Sequence, residues 1–316
     1  MNRRTNLKLI AAAVALSVLP AMPVFAADAP AKPKVALVMK SLANEFFLTM
    51  ENGAKAHQKT HAAQYDLIAN GIKDETDTAN QIKLVEQMIV SKVNALIIAP
   101  ADSKALVPVL KKAIDAGILV VNIDNKLDEA ALKEKGITVP FVGPDNRKGA
   151  KIVGTYLGKQ IKAGDQVAII EGVSTTFNAQ QRTLGFQDAM SAVGAKVVSV
   201  QSGQWEIASG NTVASAILNA NPNVVALLCG NDNMAIGAVS AVRTAGKTGK
   251  VKIIGYDNIQ AIKPMLADGR VIATADQFGS QQAVFGIETV LKAIAEKKTQ
   301  SAMNAVIETK VELVTH

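Results

Sequence analysis

The sequence predicts an α/β fold of two similar doubly wound lobes, each a parallel sheet covered by helices on both faces. Three observations carry that reading. Short unbroken apolar runs such as Val35–Met39 and Val224–Leu228 lack polar alternation, which is how strands covered on both faces read. Between such runs, apolar residues recur at helical spacing: Ile82, Val85 and Ile89 after Thr76, and Leu106, Leu110 and Ile114 before Gly117. The halves also repeat. Val35-Ala36-Leu37-Val38 is echoed by Val167-Ala168-Ile169-Ile170, the Ala95–Pro100 run by Val225–Gly230, and Leu119–Asp124 by Val251–Asp257. A duplicated βα unit implies two lobes whose sheets present their carboxyl edges across a cleft.

Taken in order, the chain opens with an export signal. Arg3, Arg4 and Lys8 precede the apolar stretch Leu9–Leu19, and Val24-Phe25-Ala26 forms a small-residue cleavage site before Ala27. No cysteine follows the apolar stretch to carry a lipid, and no later run reaches the roughly 18 apolar residues of a membrane span. A soluble exported protein cleaved after Ala26 is expected. Cleavage removes three basic and no acidic residues, so the net charge of +7 falls to +4 over the remaining 290 residues. Basic residues are scattered among acids, which argues against nucleic acid and anionic membrane as partners. Cys229 is the single cysteine and sits in an apolar run, so it reads as a small buried hydrophobe.

The predicted strands are Lys34–Met39, Tyr65–Ala69, Ala95–Ala99, Leu119–Ile123, Pro140–Gly143, Gln166–Glu171, Lys196–Val200, Val224–Cys229, Lys252–Tyr256, Val271–Ala275 and Glu308–Val314. Pro108 should kink the helix around it or delay its start. At the first strand's carboxyl end the apolar run breaks into Lys40-Ser41-Leu42-Ala43-Asn44-Glu45 and then Phe46-Phe47. Ligands of open α/β sheets bind at that edge, and two adjacent aromatics among twelve in the chain mark it.

Polar residues gather at the corresponding ends of the other strands: Asp124 and Asn125, Asn231 and Asp232, Asp257, then Asp276 and Gln277. Arg182 and Trp205 follow strands of the second half. Such side chains donate to and accept from vicinal hydroxyls, while aromatic rings cover the C–H faces of a sugar, so the cleft suits a polyhydroxylated ligand. Asp102, Asp145 and Asp232 read instead as helix caps.

With these residues in place the chain, from about residue 34 to its end, resembles the periplasmic sugar-binding proteins of the ribose-binding type that feed ABC importers. The matching stretches are Asn44-Glu45-Phe46-Phe47, Ala99–Ser103, Asn122-Ile123-Asp124, Arg182–Phe186, Asn231–Ala238, Gly255-Tyr256-Asp257 and Ala275-Asp276-Gln277. The resemblance implies that Asn44, Asp124, Arg182, Asn231, Asp257 and Gln277 bond the ligand hydroxyls and that Phe46, Phe47 and Trp205 enclose its carbon skeleton. It also implies a three-crossing hinge near Gly143–Asp145, Gln277–Gly279 and Glu308–Lys310. The lobes are then residues 27–143 plus 278–308 and 144–277 plus 309–316. Against the ribose binder of that family this chain has Asn125 for an Arg, Lys40 for a Ser, Glu45 for a Pro and Trp205 for a Phe. Losing a five-donor guanidinium, with Asn125 able to pair with a hydroxyl in either sense, predicts a linear polyol or a pentose other than ribose as the tighter ligand. Asp124 and Asp257 are expected to neutralise Lys40, leaving a neutral ligand.

Enzyme readings find little. His57 and His61 are four apart, but Gln58 stands where a zinc protease needs Glu. Gly246-Lys247-Thr248 lacks the first glycine of a phosphate loop and precedes a strand, so Gly246 reads as a helix C-cap. No G-x-S-x-G elbow or G-x-G-x-x-G after the first strand occurs. Asp124 and Asp257 as a glycosidase pair remain the enzyme alternative. A sugar-responsive repressor would need a helix-turn-helix where the export signal lies. The expected protein is therefore a monomeric receptor without cofactor that delivers a small neutral sugar or sugar alcohol to an ABC permease; a chemoreceptor ligand is the alternative within the binding class.

Overall fold

The computed structural model describes residues 31–315, so the expected export segment lies outside the described residues. The first part runs β1 (Lys34–Ser41), α1 (Glu45–Thr60), β2 (Asp66–Ile72), α2 (Thr78–Val90), β3 (Ala95–Ile98), α3 (Val107–Asp115), β4 (Leu119–Ile123), α4 (Glu129–Glu134) and β5 (Phe141–Pro144). The second runs α5 (Asn146–Gly158), β6 (Gln166–Glu171), α6 (Phe177–Val193), β7 (Lys196–Ser202), α7 (Ile207–Ala220), β8 (Val224–Cys229), α8 (Asp232–Thr244), β9 (Lys252–Ile254), α9 (Lys263–Ala267) and β10 (Thr274–Asp276). The chain ends with α10 (Gly279–Ala295), β11 (Val306–Thr309) and β12 (Glu312–Val314).

One sheet has the order β2-β1-β3-β4-β5-β11, all parallel. The other runs β7-β6-β8-β9 in parallel; the stretch after β9 then bonds to β10 through Gly255 N–H to Ala273 O and Asp257 N–H to Ala275 O. Antiparallel β12 closes that edge on β10. Both sheets thus share one order, the second strand outside the first and the rest stepping the other way, which puts the switch point at the carboxyl ends of β1 and β6.

Both faces of each sheet are covered, which is why the strands read as continuous apolar runs. On β1, Val35 and Leu37 belong to the core shared with Phe46, Met50 and Ile287, whereas Ala36 and Val38 belong to the opposite core with Val85, Met88 and Leu110. The chain crosses between the sheets three times. After β5 it enters α5, which packs on α6, β9, β10 and β12; after β10 it returns into α10 against α1, β3, β4 and β5. The last crossing overturns one expectation, because Glu308–Val314 is two strands, β11 in the first sheet and β12 in the second. Its side chains still alternate across Lys310-Val311, so the sequence pattern does not register the change of partner.

Pro108 lies in the first turn of α3, where its missing N–H removes no helical bond. Gly246 turns the chain after α8 at φ +64°. Asp145 caps α5 by accepting from Lys148 N, while the cap of α8 is Asn231 rather than Asp232. Asp102 accepts from Lys104 N and Ala105 N in the turn ahead of α3. His57 and His61 stack on each other at 4.0 Å, and His57 Nδ1 lies 2.9 Å from the Tyr65 hydroxyl. Burial, reinforced by His61, lowers the His57 pKa.

Candidate functional site

The carboxyl ends of both sheets meet at one cavity. From the first lobe come Lys40 at the end of β1, Asn44, Phe46 and Phe47 at the start of α1, and Asp124 directly after β4. From the second come Arg182 on α6, Trp205 between β7 and α7, Asn231 at the cap of α8, Asp257 after β9 and Gln277 after β10. Ten of the eleven residues singled out from the sequence therefore converge. Asn125 does not: its amide donates to Pro100 O and its Oδ1 accepts from Asn178 N, so it is wholly buried beside the cavity without lining it.

Glu75 and Asn178 line the cavity too and were missed. Strand β2 runs to Ile72, three residues beyond its predicted end, and the place of Glu75 shortly after that strand end was the available signal. Asn178 follows a Ser-Thr-Thr run and reads locally as part of a helix start.

Two cations organise the cavity. Lys40 Nζ is 3.0 Å from Glu75 Oε2, and Asn44 Nδ2 donates to Glu75 Oε1 at 2.9 Å. Glu75, and not Asp124 or Asp257, is thus the direct partner of Lys40. The ammonium sits 5.3 Å from the ring centroids of both Phe47 and Trp205, a cation–π arrangement. Arg182 is held by Asn146 Oδ1 at 2.8 Å and Gly230 O at 2.9 Å, stacks on Tyr256 at 3.8 Å, and reaches Asp257 Oδ1 at 3.5 Å. Gln277 Nε2 donates to the same carboxylate at 2.6 Å.

Burial pushes the Asp257 pKa up to about 7 despite the opposing Arg182, and raises that of Asp124 against Lys40 and Arg182. Asp124 Oδ2 and Trp205 Nε1 are buried with no hydrogen-bond partner in the protein. A hydroxyl, which both donates and accepts, is able to answer either group.

Backbone strain concentrates here. Asp124 (φ +61°), Trp205 (φ +68°) and Asp257 (φ +116°) are non-glycine residues in the left-handed half of the map, a conformation that persists only where surroundings over-determine it. Trp205 is seated against Gly172, where an added Cβ would meet the ring at 2.0 Å. The enclosed volume is small, about 10 Å³, close to the room one water needs.

The matched positions extend well beyond the cavity. The description of a periplasmic binding protein domain fits residues 35–298, most of the chain. The chain belongs to the periplasmic binding protein family. The D-ribose/D-allose-binding protein of Pseudomonas aeruginosa is 65% identical over 317 residues, covering 100% of this chain and 99% of its own. An ABC-transporter solute-binding protein from Burkholderia multivorans, solved with an unknown ligand represented as α-D-erythrofuranose, is 74% identical with a TM-score of 0.89, covering 90% of this chain and 100% of its own. A periplasmic solute-binding protein from Actinobacillus succinogenes with bound D-allose is 36% identical with a TM-score of 0.81, covering 90% and 98%. The family and these relatives are binding proteins for transport and not enzymes.

Proposed function

We propose that this periplasmic binding protein captures a small neutral aldose of ribose or allose configuration and hands it to the permease of an ABC importer. The observation that carries the reading is the pair of unpartnered buried groups, Asp124 Oδ2 and Trp205 Nε1, set among donors and acceptors held by neighbours. Asn44, Asp124, Arg182, Asn231, Asp257 and Gln277 are assigned to the hydroxyls, with Phe46, Phe47 and Trp205 against the C–H faces. Lys40 faces Glu75 and Arg182 faces Asp257, so no cation is left over for a sugar acid.

The relatives' ligands favour ribose and allose over a polyol. D-ribose and D-allose share their configuration at C2, C3 and C4 and differ by a hydroxymethyl on C5. The residue argument for a polyol needed Asn125 at the ligand, and its side chain is turned instead to Pro100 O and Asn178 N. Residues 27–143 with 278–308, and 144–277 with 309–316, are assigned to two lobes that open and close around the three crossings. Closure draws its energy from the ligand's preference for the closed form. Cleavage after Ala26 and a monomeric state complete the reading.

A thermal-shift and calorimetric screen of ribose, allose, arabinose, xylose, ribitol and xylitol tests it. Ribose or allose should stabilise most, by about 2.7 kcal/mol at one hundred times its dissociation constant. Displacement of both by a polyol would return the ligand to that class, and stabilisation by none of the aldoses would overturn the proposal.

A further inference from the structure

Helix α6 and the 3₁₀ turn ahead of α9, both in the second lobe, begin without a side-chain cap of their own. Helix α6 starts after Thr176, whose hydroxyl donates backwards to Val173 O and caps nothing. The single 3₁₀ turn Gln260–Ile262 that leads into α9 starts after Ile259, which has no polar side chain to offer. Free N–H groups in a helix's first turn need an acceptor. In both cases it comes from the first lobe. Ser103 Oγ accepts from Phe177 N at 2.9 Å and Asn125 Oδ1 from Asn178 N at 3.2 Å, while the two carboxylate oxygens of Glu45 accept from Gln260 N at 2.7 Å and Ala261 N at 3.0 Å.

A third tie runs the other way. Glu206, at the cap position of α7, does not cap its own helix; its Oε1 accepts from Glu75 N of the first lobe at 3.2 Å. Each of these bonds joins the two lobes, and each breaks when they part. Glu45 and Ser103 do not line the cavity.

We infer that Glu45, Ser103 and Asn125 act as helix caps in trans that latch the closed form, setting ligand affinity without touching the ligand. This rests on the reading of the protein as a receptor that closes on a sugar. It gives Asn125, which does not reach the cavity, a task. The caps form after the ligand has entered, so they act on release. In the open form the same N–H groups turn to water, and the caps add nothing to the stability of the ligand-free lobes. Glu45, Ser103 and Asn125 are positioning residues: they shift the population of the binding-competent arrangement.

Stopped-flow and calorimetric binding of ribose and allose to the mature protein and to Glu45→Ala, Glu45→Gln and Ser103→Ala tests the latch. The Ala variants should raise the dissociation constant roughly 3- to 10-fold, the range expected for losing a helix cap. The change should lie in the release rate, with association within about twofold of wild type. Glu45→Gln keeps one acceptor and should fall between. The ligand-free unfolding midpoint should not move. Variants that bind and release like wild type, or that lose ligand-free stability instead of residence time, overturn the latch alone. Wild-type protein that binds neither sugar overturns the receptor reading and the latch with it.

Discussion

Arg182 is the residue on which the cavity turns. Its guanidinium is positioned by Asn146 and Gly230, lies on Tyr256 and faces Asp257, all within a site closed to bulk water. Replacing it by Ala should weaken sugar binding by about 2 to 4 kcal/mol, because charge-assisted bonds in a dry site are strong and their loss leaves Asp257 without its cation. Trp205→Ala should cost about 1 to 3 kcal/mol through the lost ring face. Calorimetry that finds both variants within twofold of wild type would remove them from the ligand site. Asp257 also makes a pH prediction. Its folded pKa of about 7 lies above its ordinary value of 3.8, so between those values the folded state holds the proton that the unfolded state has released. Its contribution to stability is present below pH 4 and is lost as the pH rises to about 7. Denaturant unfolding of wild type and Asp257→Asn should show the wild-type advantage shrinking as pH rises; an advantage that grows with pH would refute the assignment.

Among the elements, α8 ties the cavity to the scaffold. Asn231 Oδ1 caps the helix through Met234 N at 2.9 Å, and its amide donates to Trp205 O at 3.1 Å, so one side chain starts a helix and fixes the loop carrying the indole. Asn231→Ala should destabilise the protein by about 1 to 2 kcal/mol in urea unfolding. Asn231→Asp keeps the cap acceptor and loses the amide, so it should recover the stability while still weakening the sugar. An Asp variant as unstable as the Ala variant would show that the cap is not the main contribution. The next residue, Asp232, accepts from Ile259 N and Thr274 Oγ1, bracing the loop after β9 rather than the helix start.

At the scale of the whole molecule, three crossings join lobes that meet over one small cavity, the arrangement assigned to the sugar-bound form. Small-angle scattering should therefore show a larger radius of gyration without ligand than with ribose or allose. Equal radii, with binding established separately, would defeat closure around the crossings. Export sets the remaining expectation: intact mass of the periplasmic form should correspond to a chain beginning at Ala27, and any other first residue refutes that cleavage site.

Apolar runs, helical spacing and the internal repeat determined the two-sheet α/β architecture by themselves, because burial on both faces of a parallel sheet leaves its mark in every strand. They also drew attention to the strand ends, which is why ten residues dispersed from Lys40 to Gln277 could be named before their meeting was seen. Local pattern carries no record of partners distant in the chain. That Glu75 rather than an aspartate answers Lys40, that Asn125 turns from the cavity to the start of α6, that Glu308–Val314 divides between two sheets, and that Glu45 caps a helix turn more than two hundred residues away were all decided by the tertiary structure. Each depends on which N–H or charge the packed lobes bring within about 3 Å, a distance set by the arrangement of whole elements and by no neighbouring residue.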